Sequence, residues 1–175
     1  KKTNRNERGC WFEIDFVLTD NEGNSYIISE EFYITTTYVS MGQFGGTTTT
    51  VYHYDDIFVL KINKEGQLVW GRSIFKRSTS PSYNAFLKND KLYIILNSGK
   101  KLLKKKDGRT KVSQGLFESS SLYNIIFSKN GEVVYEKIQD NKRKTFYLPY
   151  FGNYDFDRFI MPNNVINRKK FMILE

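Results

Sequence analysis

The chain of 175 residues contains little cysteine, proline or histidine: one Cys, three Pro and one His. A single cysteine excludes an internal disulfide, and a domain of this size does not depend on one because it can bury roughly 70% of its unfolded surface. We expect Cys10 to be a small buried apolar residue beside Trp11, as free cysteines usually are. The alternative is an acylated lipoprotein cysteine, but no apolar signal segment precedes it.

Long apolar runs are missing as well. No stretch approaches the ~20 apolar residues that span a bilayer, and no signal peptide is seen. The first residue is Lys1 rather than Met. We therefore expect that residues ahead of it were processed or omitted, and export stays open.

Motifs for nucleophilic, phosphate or metal chemistry are also missing. No Gly-x-Ser-x-Gly pattern occurs, and the glycines at 42–46 are followed by Thr instead of the Gly-Lys-Ser/Thr of a phosphate-binding loop. The only histidine, His53, precedes Asp55 and Asp56. Strand alternation would place His53 and Asp55 on one face and Asp56 on the other, so we expect a surface position and no ligand cluster.

Acidic residues offer two further candidates for a site. A glycosidase needs two carboxylates roughly 5–9 Å apart, and the sequence cannot show that distance for its candidates Glu30, Glu31, Asp155 and Asp157. The oxygen-rich segment Asp20–Asn24 is shorter than a calcium-binding loop. We expect it to be a hairpin turn, because Asn, Asp and Gly favour turns.

What the chain does contain is aromatic and β-branched sequence, with 16% Phe, Trp and Tyr. These residue types suit strands, and Gly and Asn interrupt them at regular points. Two segments repeat one design, residues 56–70 and residues 122–135. Aligning Gly66 with Gly131 also aligns Trp70 with Tyr135, at an offset of 65 residues.

The repeat predicts a single β-repeat region over residues 1–175. Unit one spans 11–77, unit two 83–140, and a partial unit three 154–175. Units one and two are each predicted to have four strands, and Tyr93-Ile94-Ile95 repeats Tyr26-Ile27-Ile28. Unit three is predicted to have two strands, at 156–161 and 171–174. The third strand of unit one is apolar on both faces, which predicts cover on two sides.

This organisation predicts an all-β fold, a β-propeller-like stack of four-stranded antiparallel repeats. Propeller repeats usually have roughly 40–50 residues, and the longer period here includes an insertion. Two and a half units do not close a ring, so we expect an incomplete portion of a larger propeller. The alternative is a β-sandwich.

Each full unit carries a long connection between its second and third strands. In unit one it is rich in Gly and Thr and spans residues 38–50, where Thr47–Thr50 could instead extend a β-ribbon. In unit two it spans residues 98–121 and is rich in Lys. Long loops are uncommon and often functional, so these are the expected contact surfaces.

The net charge of +8 lies wholly in residues 100–175, which hold 16 of the 27 basic and 8 of the 19 acidic residues. The candidate binding loop contains seven basic residues: Lys100, Lys101, Lys104, Lys105, Lys106, Arg109 and Lys111. They predict a patch for an anionic polysaccharide or lipid headgroup. Nucleic acid is disfavoured because the loop has no stacking aromatic residue. The competing interpretation is a solvated loop whose lysines protect a β-edge.

Asp56-Ile57-Phe58-Val59-Leu60-Lys61, followed by Gly66 and Trp70, resembles a group of uncharacterised envelope proteins of Bacteroidetes-type bacteria. Those proteins carry propeller-like repeats of the form Asp-Ile-x-Val-x-Lys … Gly-x-x-x-Trp. The resemblance covers residues 11–97 best. In unit two, Ser121, Ile126 and Tyr135 replace the Asp, Lys and Trp of the pattern. The resemblance implies an exported, non-catalytic repeat domain.

These observations favour a non-catalytic β-repeat scaffold for binding or assembly in a bacterial cell envelope. Its expected partners are proteins or further domains of the same chain, and no catalytic residue, cofactor or metal is predicted. One alternative is a propeller-type carbohydrate-active hydrolase with carboxylates at a central channel. Another is a polyanion binder that uses the basic loop.

Overall fold

Thirteen strands in three sheets make up the part of the chain that this computed structural model describes, residues 11–40, 45–106, 109–112, 119–142, 145–164 and 169–175. Helix in these residues is limited to one 3₁₀ turn, Pro149–Phe151. The prediction of an all-β fold is confirmed. No helix of the described residues is long and apolar enough to cross a membrane. Cys10 lies outside the described residues.

Unit one forms an antiparallel meander in the first sheet, called sheet one. Its strands are β1 (Trp11–Thr19), β2 (Ser25–Ser40), β3 (Gly46–Ile62) and β4 (Leu68–Lys76). Pairing between β2 and β3 continues out to Ser40 opposite Gly46. The threonine run Thr47–Thr50 therefore extends a two-stranded ribbon, which was one of the two predictions for this connection.

Unit two supplies the next six strands. They are β5 (Tyr83–Lys88), β6 (Lys91–Gly99), β7 (Leu103–Lys104), β8 (Thr110–Val112), β9 (Ser120–Phe127) and β10 (Val133–Asp140). The four predicted strands form sheet two in the order β10-β9-β6-β5. In contrast, β7 and β8 join sheet one, where β8 pairs in parallel with the end of β4. The basic insertion therefore covers the edge of β4 by strand pairing, whereas the edge-protection interpretation expected a solvated loop whose lysines protect that edge.

Unit three forms sheet three from β11 (Asn153–Asp155), β12 (Arg158–Pro162) and β13 (Phe171–Leu174). The prediction of one strand over 156–161 is wrong, because Phe156 and Asp157 form a tight turn between β11 and β12. Both have positive φ, 46° and 59°, as a two-residue hairpin turn requires. Asn or Gly usually fills such positions, so Phe156 gave no turn signal.

The three sheets stack face to face, with sheet two in the middle. The side chains of β6 alternate between two cores, because successive strand residues point to opposite faces. Ile94 belongs to the core between sheets one and two, and Ile95 to the core between sheets two and three. The first core also contains Ile28, Val59 and Phe127, and the second Phe86, Phe159 and Met161.

Only one face of β3 is covered, so the prediction of cover on two sides is wrong for unit one. Ile57 and Val59 are fully buried against sheet two. Leu60, which points the other way, is 36% exposed. The corresponding strand of unit two, β9, has buried residues in both cores, Leu122 in one and Ile125 in the other.

Because of a β-bulge, Trp70 lies on the opposite face of its sheet from the face that its sequence counterpart Tyr135 occupies in sheet two. In unit one, Leu68 pairs with Ile62 but Trp70 pairs with Lys61, so one residue is inserted between them. In unit two, pairing from Val133 to Tyr135 is regular. A shift of one residue moves a side chain to the opposite face. Trp70 therefore packs on the following sheet, whereas Tyr135 packs against the core shared with the preceding one.

Candidate functional site

A second β-bulge gathers charged residues near the base of the long β2–β3 ribbon. Glu30 pairs with Ile57 but Phe32 pairs with Tyr54, so Asp55 and Asp56 occupy a single step of the ladder. Both carboxylates reach the guanidinium of Arg77, Asp56 at 2.6 Å and Asp55 at 3.4 Å. The prediction that Asp56 points away from Asp55 is wrong, because regular alternation does not hold at a bulge.

A buried ion pair lies next to this cluster. The ammonium of Lys76 donates to the carboxylate of Glu30 and, at 2.8 Å, to the carbonyl oxygen of Tyr54. Burial raises the pKa of Glu30 to about 7, since desolvation outweighs the attraction of Lys76. Burial also raises the pKa of Asp15, which accepts a hydrogen bond from the Tyr83 hydroxyl. The carboxylates on this side of the fold are thus held by hydrogen bonds or ion pairs.

The His53 side chain is held in the β2–β3 ribbon by two neighbours on β2. Its ring stacks on Tyr33 with centroids 4.4 Å apart, and its Nε2 lies 2.8 Å from the Thr35 hydroxyl. The Tyr33 hydroxyl in turn donates to Asp55 at 2.8 Å. Among the described residues, no group of three or more His, Cys, Asp or Glu side chains is placed to hold a metal ion.

The carboxylates considered for a hydrolase lie at opposite ends of the strands. Glu30 stands opposite Glu13, near the start of β1. Asp155 and Asp157 lie at the β11–β12 turn, which corresponds to the β1–β2 turn at the far end of β1. The Asp157 carboxylate accepts a hydrogen bond from Tyr154 at 2.9 Å. The structure does not bring Glu30 together with Asp155 or Asp157.

A cleft of about 560 Å³ opens beside the charged cluster. Both connections between units line it: residues 77–82 lie between β4 and β5, and Phe146 and residues 148–151 precede unit three. Its lining combines serine and threonine hydroxyls with the exposed rings of Tyr150 and Phe151. The volume lies in the range of ligand pockets, roughly 300–1,000 Å³. This cleft could not be predicted from the sequence, because its walls come from connections that are far apart in the chain.

Part of the basic loop packs against the β4 edge of sheet one, around the ring of Phe75. The ammonium of Lys105 lies 3.7 Å from the ring centroid of Phe75, and the guanidinium groups of Arg77 and Arg109 lie 4.3 and 5.3 Å from it. Arg109 also pairs with Asp56 at 3.6 Å. Lys111 stands opposite Phe75 in the β4–β8 register. Three cations therefore surround one aromatic ring, an arrangement in which each is attracted by the ring face.

The other predicted basic residues lie around this cluster. Lys104 pairs with Thr110 across the β7–β8 hairpin, and Lys101 and Lys106 are exposed. Lys100 follows β6, where its carbonyl accepts a hydrogen bond from Tyr123 at 2.9 Å. Sequence reasoning missed Phe75 and Arg77, because the parallel β4–β8 pairing that brings them to the loop joins residues far apart in the chain.

The interface between sheets one and two is fixed by a pair of side chains on β4. The indole nitrogen of Trp70 donates to the carbonyl of Lys129 at 2.9 Å, and Nε of Arg72 donates to the carbonyl of Gly131 at 2.8 Å. Both acceptors belong to the β9–β10 turn. Gly131 is buried there, since a Cβ on it would lie 2.8 Å from the Trp70 ring. We call this arrangement the Trp–Arg clamp.

The side of sheet one that faces away from sheet two is apolar and uncovered. Register places Val17, Ile27 and Leu60 in one row across this outer face. Ile14 and Val17 are 63% and 62% exposed. Phe12 packs edge-on against Phe58, with ring centroids 5.0 Å apart. The apolar side chains of such a row stabilise a fold or a complex only when another layer of protein removes them from water.

In comparisons with known proteins, no family model, curated protein or solved structure matches the chain. Its function is therefore inferred from the fold and from the sites described above.

Proposed function

We propose that this chain is a non-catalytic β-repeat scaffold of a bacterial cell envelope, part of a propeller-like stack related to the envelope repeat proteins that its sequence resembles. Its role is to hold protein partners or further repeat units against its outer sheet faces. The observation that carries this proposal is the uncovered apolar face of sheet one. Exposed apolar patches of this kind mark protein interaction sites.

The far end of the stack supports the same proposal. In sheet three, Phe159 and Met161 pack against sheet two, while Ile160 and its register partner Ile173 point outward. Ile160 and Ile173 are both exposed. The stack thus offers an apolar surface at each end, as a segment of a longer array would.

The charged cluster favours a structural role over a catalytic one. Glu30 is paired with Lys76, and Asp55 and Asp56 are paired with Arg77. A general acid or base needs a group within reach of a substrate proton. Asp55 lines the cleft, but its carboxylate is already engaged by Arg77 and by the Tyr33 hydroxyl, and Glu30 is buried against Lys76. The cluster holds the base of the β2–β3 ribbon to the end of β4 and to Arg77, which follows it.

Substitution on the outer face tests the scaffold. Leu60→Asp should release partners and reduce the size of the native complexes that contain the protein in envelope extracts. Val134→Asp is the matched control, because Val134 is exposed on the edge strand of sheet two. The proposal fails if complexes with Leu60→Asp keep their size, or if fractionation places the protein outside the envelope.

The cations around Phe75 favour a second candidate function, binding of an anionic polysaccharide. Heparin is a suitable probe, and replacing Lys105 and Arg109 with Ala should weaken its binding and reduce the salt dependence of the affinity. The matched control replaces the exposed Lys169 and Lys170, which removes the same charge elsewhere. Equal losses in both variants would show a general charge effect and reject this site.

A further inference from the structure

The Trp–Arg clamp has an empty counterpart on the outer face of sheet one. The β3–β4 turn of unit one and the β9–β10 turn of unit two share one geometry. In each turn, a glycine with φ near 80° donates its backbone N–H to the carbonyl oxygen three residues earlier. Gly66 donates to Asn63 and Gly131 to Ser128, both at 2.9 Å. Lys64 and Gly66 correspond to Lys129 and Gly131, whose carbonyls accept the clamp.

The two turns differ in what covers them. Gly131 is buried under the Trp70 ring, but Gly66 is exposed, and no other part of the described chain lies within 4 Å of a Cβ built on it. The glycine that admits an indole in sheet two therefore faces open space in sheet one.

The apolar rows beside the two turns are equivalent. In sheet two, Ala85, Ile94 and Ile125 form one row, and all three are buried against sheet one. Their counterparts by register are Val17, Ile27 and Leu60. The alignment of Gly66 with Gly131 and that of Tyr26-Ile27-Ile28 with Tyr93-Ile94-Ile95 give the same correspondence. Unit one thus has both parts of the surface that unit two uses to receive a preceding sheet.

We infer that the outer face of sheet one, with its β3–β4 turn, is the docking site for a four-stranded β-sheet of the unit-one type. The docking sheet carries a Trp and an Arg two residues apart on its fourth strand, and they donate to the carbonyls of Lys64 and Gly66. This inference rests on the scaffold function proposed above and specifies the partner. Sheet three cannot be that partner through another copy of the described chain, because its three described strands lack such a pair.

A chain extended by a second copy of residues 11–82, placed directly ahead of Trp11, tests the docking site. The added sheet should pack on the outer face, protect the Leu60 amide from hydrogen exchange and resist proteolysis. Trp70→Ala in the added copy should reverse that protection. Gly66→Asn in the original copy should do the same, because Asn tolerates positive φ but its side chain would occupy the site.

The inference is overturned if the added sheet is cleaved while the original three sheets persist, or if neither substitution reduces protection. Should the extended chain be insoluble, Gly66→Asn in the full chain expressed in its own cells, with p-benzoylphenylalanine at position 17, decides the matter. The site predicts a lower crosslinking yield than with Gly66, and an unchanged yield rejects it.

Leu60→Asp in the original unit separates this inference from the proposed function. If Leu60→Asp prevents docking of the added sheet and Gly66→Asn does not, the outer face binds a sheet without the clamp. The scaffold function then stands and the clamp site fails. If neither substitution prevents docking, the outer face is not the contact surface and both proposals fail.

Discussion

The indole N–H of Trp70 donates a 2.9 Å hydrogen bond to the backbone carbonyl of Lys129, a residue 59 positions later in the chain. A buried indole needs such an acceptor. The ring also stacks on Phe127, with centroids 5.9 Å apart. Because the acceptors of the clamp are backbone carbonyls, the turn can vary in sequence as long as Gly131 leaves space for the ring.

Substitution of two equivalent glycines should have unequal effects. A Cβ at Gly131 would lie 2.8 Å from the Trp70 ring, whereas one at Gly66 would meet open space. We expect Gly131→Asn to lower the free energy of unfolding by about 1–3 kcal/mol through overpacking. Gly66→Asn should change it by less than about 1 kcal/mol, since Asn tolerates the left-handed conformation. Chemical denaturation measures both, and equal losses would contradict the clamp.

The two tryptophans give a second matched pair. Trp70→Phe should lower the free energy of unfolding by about 1–3 kcal/mol, because the Lys129 carbonyl loses its 2.9 Å indole donor, keeping only the 3.4 Å bond from the Lys61 ammonium, and the ring becomes smaller. Trp11 is mostly exposed, so Trp11→Phe should change it by no more than about 0.5 kcal/mol. Thermal or urea unfolding of both variants checks this difference. A larger loss for Trp11→Phe would show that the interface does not depend on Trp70.

Much of the fold could be predicted because its signals are local. Alternating apolar residues and turn glycines identified the four main strands of units one and two and their hairpins. The Tyr-Ile-Ile repeat correctly paired Ile27 with Ile94. The face of Trp70 could not be predicted, because a bulge depends on how two strands settle against each other. Tyr135 aligns with Trp70 in sequence and still packs in the opposite direction.

Stability should fall as pH rises from about 4.5 to 7. The unfolded chain releases the Glu30 proton near the ordinary value of 4.5, whereas burial raises the pKa in the folded protein to about 7. The folded state therefore binds more protons in this interval, so its stability falls as pH increases. The raised pKa of Asp15 acts in the same direction.

Glu30→Gln isolates this contribution. The variant should show a weaker dependence of the free energy of unfolding on pH between 4.5 and 7 in urea titrations, whatever its absolute stability. An unchanged slope would mean that Glu30 stays ionised in its pair with Lys76, and the assignment of its pKa would be wrong.

The turn between β11 and β12 should accept a stabilising substitution. Phe156 has φ 46° and is 88% exposed, so it carries a strained backbone without burying its ring. Phe156→Asn should raise the melting temperature, because Asn favours this conformation by up to about 1 kcal/mol. Phe156→Leu is the control and should not raise it. A loss of stability with Asn would indicate that the Phe156 ring has a packing role.

The candidate sites were less predictable than the fold. Sequence identified Lys105, Arg109 and Lys111 as a basic group, and the structure places all three at the β4 edge. It did not reveal Phe75 or Arg77, because parallel pairing across the chain brings them there. Likewise, regular strand alternation predicted that Asp55 and Asp56 lie on opposite faces of β3, whereas the β-bulge directs both side chains to Arg77. These arrangements depend on tertiary pairing, which local sequence patterns do not encode.

The most direct test of the account is site-specific photo-crosslinking in cells, with p-benzoylphenylalanine at Val17 on the outer face and at Val134 as the exposed control. We predict a crosslink from position 17 to a neighbouring β-sheet whose fourth strand carries Trp and Arg two residues apart, and none of comparable yield from position 134. No crosslink at position 17, or equal crosslinking at both positions, would contradict the claim that the outer face of sheet one is a docking surface.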